Sequence, residues 1–182
     1  MADEPRPDPE EQVAALCRVL NEHGVDYLVF GSFAGRLHGA DVHTRDVDVV
    51  PRADPANLQR LADALNALRP RWRVDEEGPG MKVDGKVQPK HFEGEIPAIG
   101  LVTQFGYVDV LLHPKGFERG YEDLAPNSVV VAVEGVEVRV GALADLIRSK
   151  GLLGRQKDRN HLPLLQARQA ELDRQSSSPE PG

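Results

Sequence analysis

The 182-residue sequence predicts an α+β domain: a mixed β-sheet with helices packed against it. Three observations carry this reading. Helical and strand patterns alternate from Val13 to Leu68, two pairs of short strands follow around glycine-bearing turns, and two helical segments close the chain. No internal repeat or long linker interrupts the order, so residues 12–174 are expected to form a single domain.

The elements follow from local chemistry. Residues 1–11, with three prolines and five acids, are too polar to pack and are expected to be a loose acidic tail; residues 175–182 (QSSSPEPG) are read the same way. Val13, Leu16, Cys17 and Leu20 recur at helical spacing, and Gly24 stands where a C′ glycine would stop the helix. Val25–Phe30, β-branched and aromatic between two glycines, reads as a strand, and Ser32 is placed to cap a short helix running to about Gly39. Asp46–Val50 alternates acid and valine and is closed by Pro51, a second strand with its acids on one face. Asp54-Pro55 gives a cap and a first-position proline for a helix striped by Leu58, Leu61, Leu65 and Leu68. From Arg69 to Pro97, recurring Gly and Pro imply short strands or a site-facing loop. Ile99–Thr103 with Tyr107–Leu112, and Ser128–Val133 with Val136–Val140, read as two hairpins. Gly141–Lys150 and Asp158–Leu172 are the closing helices.

Composition narrows the function. With 29 Asp+Glu against 22 Lys+Arg, a net charge of −7 argues against a protein that coats nucleic acid, so any such contact is local. One cysteine, Cys17, makes no intrachain disulfide; it is read as a small buried hydrophobe in a reducing, cytoplasmic setting. No apolar run approaches the roughly 20 residues of a spanning helix, so neither a signal peptide nor a membrane partner is expected.

Chemistry concentrates in one constellation. Gly31-Ser32 directly follows a strand, and Thr44-Arg45-Asp46-Val47-Asp48 opens the next. Asp46 and Asp48 share a strand face, where like charges need a cation between them, and Mg²⁺ commonly binds through one or two carboxylates plus substrate phosphates. Gly31 lets backbone approach a ligand, and the turn into the Ser32 helix favours a phosphate. Asp109 stands alone in the apolar strand YVDVLLH and also needs a partner. If its strand lies beside that of Asp46, three acids converge, enough for two metal ions and for Asp109 to act as a general base.

This pattern resembles the nucleotidyltransferase superfamily of the DNA polymerase β type, matched at Gly31-Ser32, Asp46-x-Asp48 and Asp109 over roughly residues 25–113. The resemblance implies a mixed sheet flanked by helices, two Mg²⁺ ions bound by Asp46, Asp48 and Asp109, and transfer of a nucleoside monophosphate from an NTP to an acceptor hydroxyl. The segment from Leu143 to Leu165 is similar to that of MenT and AbiEii-type toxins of type IV toxin–antitoxin systems, where a helix ends in lysine, an arginine follows and a Lys-Asp pair opens the next helix. By that likeness Lys150 and Asp158 join the catalytic candidates, and Gly31, Ser32, Thr44, Lys150, Arg155 and Lys157 the nucleotide-binding ones. One position departs from the pattern: Val42 stands where relatives often carry arginine, so either Arg36 or Arg45 takes over or the triphosphate is gripped differently.

The likeness implies a tRNA 3′ end as acceptor, a toxin that blocks translation, and a cognate antitoxin as partner. Residues 139–174, with eight Lys+Arg against four acids, form a basic strip that would guide an RNA 3′ end, serve only the triphosphate, or be a solvated helix face. A second cationic region holds Arg69, Arg71, Arg73, Lys82, Lys86 and Lys90, with Trp72, Met81 and Phe92 as stacking candidates, although Trp72 is read first as a core residue. The alternatives are an antibiotic- or protein-modifying nucleotidyltransferase and a non-catalytic nucleotide-binding module.

Overall fold

The structure is a computed structural model that describes residues 8–76, 78–94 and 98–177. In chain order its elements are α1 (Pro9–Glu22), β1 (Tyr27–Phe30), α2 (Gly31–Leu37), β2 (Asp46–Pro51), α3 (Pro55–Ala67), β3 (Arg71–Trp72), β4 (Met81–Lys82), β5 (Ile99–Thr103), β6 (Gly106–Val110), α4 (Tyr121–Leu124), β7 (Val129–Val133), β8 (Val136–Val140), α5 (Leu143–Leu153) and α6 (Gln156–Ser177). Short 3₁₀ turns lie at Pro89–Phe92 and Ala125–Asn127.

The strands form one mixed sheet in the order β4-β3-β5-β6-β2-β1-β8-β7, which is the α+β architecture expected. β2 runs antiparallel to β1 and parallel to β6, while β1 runs parallel to β8. β5–β6 and β7–β8 are the two expected hairpins. The second turns on Glu134 and Gly135, both at positive φ, which suits a tight turn between twisted strands. All four residues of β1 are buried, as a central strand covered on both faces requires. α1 packs against α3 and β8; α2 packs against β1, β2 and α5, and α5 against α6. Leu16, Cys17 and Leu20 of α1 and Leu61 and Leu65 of α3 meet Leu28, Val49, Val50 and Val138 in the core. Burial pushes the Cys17 thiol up to about 11, so it is an inert core residue.

Several boundaries move. α1 begins at Pro9 with Asp8 accepting from the Glu10 N–H, so residues 8–11, expected in the tail, form a cap and a first turn. α6 continues to Ser177, with Ser176 and Ser177 each bonding a carbonyl four residues back, so 175–177 are helical too. Residues 1–7 and 178–182 of the expected tails lie outside the described residues. Ser32 does not cap α2; the helix starts at Gly31 after Phe30, and Ser32 is buried inside its first turn. Asp54 does cap α3, accepting from the Asn57 N–H. Phe92 is buried and unavailable for stacking, whereas Met81 is 57% exposed. Among the described residues, no helix is long and apolar enough to cross a membrane.

Candidate active site

Strand register assembles the site. Phe30 at the end of β1 pairs with Asp48 on β2, and Asp48 pairs with Asp109 on β6. Residues paired in this way share a sheet face, and Asp46 lies two residues before Asp48 on the same face, so the three acids converge at the end of the sheet where α2 begins. Gly31 is required at that corner. Its φ is +65°, and a Cβ there would lie 1.8 Å from Asp48 Oδ2.

The acids crowd one another. Burial, then the charges of Asp109 and Asp46, push the Asp48 carboxyl up to about 7, against the pull of Lys150 and Lys157. Burial also raises Asp109, opposed chiefly by Arg73. The Arg73 guanidinium bridges the cluster, with Nη2 2.7 Å from both oxygens of Asp109 and Nη1 3.4 Å from Asp46 Oδ2. Its hydrogen bond is directed at Oδ2 of Asp109. Oδ1 is the one buried side-chain oxygen among the described residues that accepts no hydrogen bond.

The cations arrive on α5 and α6. Gly154, in the left-handed conformation at φ +61°, ends α5 and reverses the chain so that Arg155, Lys157 and Asp158 return beside Lys150. Lys150 Nζ lies 3.2 Å from Asp158 Oδ1, and Arg155 Nε donates to Asp158 Oδ2 at 2.7 Å. Burial alone would raise Asp158, but the Arg155 bond and the Lys150 charge outweigh it and hold the carboxyl below its usual range. Lys157 Nζ lies 3.7 Å from Asp46 Oδ2.

Gly31, Ser32, Asp46, Asp48, Asp109, Lys150, Arg155 and Lys157 thus line one cleft of about 260 Å³. Two of the sequence-predicted residues stand outside it. Asp158 is wholly buried beneath the cations and holds them, rather than facing the cleft. Thr44 lines an adjoining hollow of about 580 Å³ with Arg45, Arg73, Asp75 and Glu76, and its hydroxyl lies 3.4 Å from the backbone N and O of Asp46. Asp46, Asp109, Arg155 and Lys157 border both spaces.

Two residues of the site escaped the sequence reading. Arg73 stood there only in a surface cationic group. His161 was not singled out, yet its Nδ1 shares a 2.9 Å hydrogen bond with Ser32 Oγ, and burial, then Lys150 and Lys157, lower its pKa. A signal for His161 existed: Asp158, His161, Leu165, Arg168 and Leu172 make an i, i+3, i+4 stripe on α6. Leu165 along that stripe packs where a Cβ on Gly35 would lie 2.4 Å away, and Arg168 Nε donates to the His38 carbonyl at 2.7 Å, fixing α6 on α2. Neither Arg36 nor Arg45 replaces the missing arginine in the cleft: Arg36 pairs with Glu10, and Arg45 borders the hollow. His38 bonds the Gly141 carbonyl, a structural task.

Three carboxylates, one of them with a buried oxygen that accepts no hydrogen bond, supply the hard-oxygen chemistry that a divalent cation such as Mg²⁺ takes. Among the described residues, however, no group of three or more His, Cys, Asp or Glu is arranged so that it could hold a metal ion as it stands. Arg73 is in contact with two of the carboxylates that would supply the ligands.

No family model and no curated relative matches this sequence. Solved structures do resemble it. A putative nucleotidyltransferase from Thermotoga maritima superposes with a TM-score of 0.56 at 15% identity, over 89% of this chain and 94% of that one. The antibiotic-resistance factor ANT(2'')-Ia gives 0.55 at 11% identity, over 92% of each chain. The lincosamide antibiotic adenylyltransferase LnuA, bound to lincomycin, gives 0.55 at 11% identity, over 86% of this chain and 95% of that one. The chain therefore has the fold that these nucleotidyltransferases share.

Proposed function

We propose that the protein is a divalent-metal-dependent nucleotidyltransferase that moves a nucleoside monophosphate from an NTP to the 3′ hydroxyl of an RNA, with tRNA as the acceptor. The observation that carries this reading is the cross-strand pairing of Asp48 with Asp109 beside Asp46, facing a cleft whose other wall presents Lys150, Arg155 and Lys157.

Asp46, Asp48 and Asp109 would hold the metal, which when bound supplies Lewis-acid stabilisation of charge on the phosphoryl oxygens. The protein's own groups do the rest. Lys150, Arg155 and Lys157 bind the triphosphate and neutralise the charge that builds on pyrophosphate as it leaves. Asp109, whose Oδ1 accepts no hydrogen bond although Arg73 lies beside it, accepts the proton of the acceptor hydroxyl as that oxygen bonds to the α-phosphorus and the bond to pyrophosphate breaks. Ser32, held by His161, orients its hydroxyl beside the triphosphate. Asp158 is a positioning residue that aims Lys150 and Arg155.

The adjoining hollow supports an anionic acceptor. It brings Arg45, Arg73, Arg155 and Lys157 beside Asp46 and Asp109, and the exposed Arg148 and Arg159 add to the positive charge of the C-terminal third. As a toxin, such an enzyme would be restrained by a cognate antitoxin. A small-molecule acceptor is the second reading, favoured by the antibiotic-directed fold neighbours and by Asp75 and Glu76, which would attract a cationic drug. Incubation with each α-labelled NTP, Mg²⁺ and either total tRNA, an aminoglycoside or lincomycin separates the two. Label in tRNA is the expected outcome; label only in a drug moves the assignment to the second reading, and no label in any acceptor rejects both.

A further inference from the structure

We propose that Arg73 is the resident counter-ion that joins two acids of the carboxylate cluster: its guanidinium holds Asp46, which Lys157 also approaches, together with Asp109 in the metal-free protein, and a divalent cation enters only by displacing it. The inference rests on the reading of these carboxylates as metal ligands.

Arg73 belongs to neither acid's strand. It follows β3, which joins the sheet on the far side of β5, and its N–H donates to the Gly100 carbonyl at 3.0 Å, which fixes its backbone. From there the side chain crosses Gly100. A Cβ on Gly100 would lie 2.9 Å from Arg73 Nε and 3.2 Å from Asp109 Oδ1, so that glycine opens the path by which the arginine reaches the acid. The guanidinium lies 5.9 Å from the centre of the Tyr107 ring and touches carboxylates from two different strands.

The fit is incomplete in an informative way. A planar fork carries one positive charge and meets Asp46 and Asp109, but it makes no ion pair with Asp48 and leaves Asp109 Oδ1 without a hydrogen bond. A divalent ion held by the same oxygens would lie against the guanidinium, and two cations at contact distance repel. The two arrangements are therefore mutually exclusive, and metal affinity is lowered by whatever the Arg73 ion pairs contribute. A displaced Arg73 has a destination, because Asp75 and Glu76 line the hollow beside it.

Mn²⁺ titration followed by the electron paramagnetic resonance of the free ion tests this on wild type, Arg73→Gln and Asp109→Asn, alongside thermal melts with and without Mn²⁺. Loss of the competitor should tighten Mn²⁺ binding by about tenfold in Arg73→Gln. It should also lower the melting temperature of the metal-free variant and enlarge the rise that Mn²⁺ gives. Equal or weaker Mn²⁺ affinity in Arg73→Gln, with wild-type binding that Asp109→Asn removes, overturns the proposal and leaves the metal reading standing. No Mn²⁺ binding by wild type or Arg73→Gln overturns both. If Arg73→Gln does not fold without metal, Arg73→Lys keeps the charge without the fork; intermediate Mn²⁺ affinity is expected, and unchanged affinity rejects the proposal.

Discussion

Replacing Asp48 by asparagine should stabilise the metal-free protein at pH 8 and leave its stability nearly unchanged at pH 4. Asp48 lies against Gly31 between Asp46 and Asp109, and burial followed by those two charges lifts its carboxyl from 3.8 to about 7. Between those values the folded protein keeps a proton that the unfolded chain has released, so the free energy of unfolding falls as pH rises. A shift of this size has an upper bound of about 4 kcal/mol at pH 8, and burying an amide in place of the acid reduces the observable gain to roughly 2 kcal/mol. Below the unfolded value both states are protonated and the contribution is absent. Urea denaturation of wild type and Asp48→Asn in EDTA, from pH 4 to pH 9, measures the difference directly. Equal stability at pH 8, or a gap that persists undiminished at pH 4, would show that Asp48 does not carry the repulsion assigned to it. With Mg²⁺ present, wild type should gain stability that Asp48→Asn does not.

Other substitutions probe the parts around it. Gly31→Ala places a methyl on Asp48 at a positive φ, and should lose NTP transfer and at least about 1–3 kcal/mol of stability, read by activity and urea midpoint. Asp158→Ala leaves the Lys150 ammonium buried without its partner, and should cost about 3–5 kcal/mol and weaken NTP binding in calorimetry; unchanged NTP affinity would remove Asp158 from its positioning role. His161→Ala frees the Ser32 hydroxyl and should raise the KM for NTP more than it lowers kcat, with His161→Asn restoring part of the loss. Leu165→Ala opens the α6–α2 contact at Gly35 and should cost about 2–5 kcal/mol without changing the chemistry of the acids.

Much of this site was written in local sequence. The alternation of Asp46 and Asp48, the lone Asp109 in an apolar strand and the Gly31-Ser32 turn each announce a residue type that its surroundings would otherwise disfavour. What brings them together is strand order, and nothing local states that β6 inserts beside β2. The adjacency could be posed only as a condition, which the Asp48–Asp109 pairing meets. Arg73 was hidden for the same reason: its two-residue strand carries almost no pattern, and its contacts cross two further strands. Ser32 misled because a serine after a strand reads as a cap, whereas its hydroxyl is taken by His161, 129 positions away. The tail boundary failed on composition. Asp8, Pro9 and Glu10 look disordered as a set, but each suits a cap or a first turn when an apolar stripe follows.

In the proposed reaction, Asp46, Asp48 and Asp109 serve transfer of a nucleoside monophosphate to a tRNA 3′ end within the cleft walled by Lys150, Arg155 and Lys157. Reaction of wild type and Asp109→Asn with α-labelled NTPs, Mg²⁺ and total tRNA, with pyrophosphate followed in parallel, tests it most directly. Wild type should place label at the tRNA 3′ end with stoichiometric pyrophosphate, and a folded Asp109→Asn should give neither. Label transfer that survives in Asp109→Asn, or its absence from wild type with all four nucleotides, would contradict it.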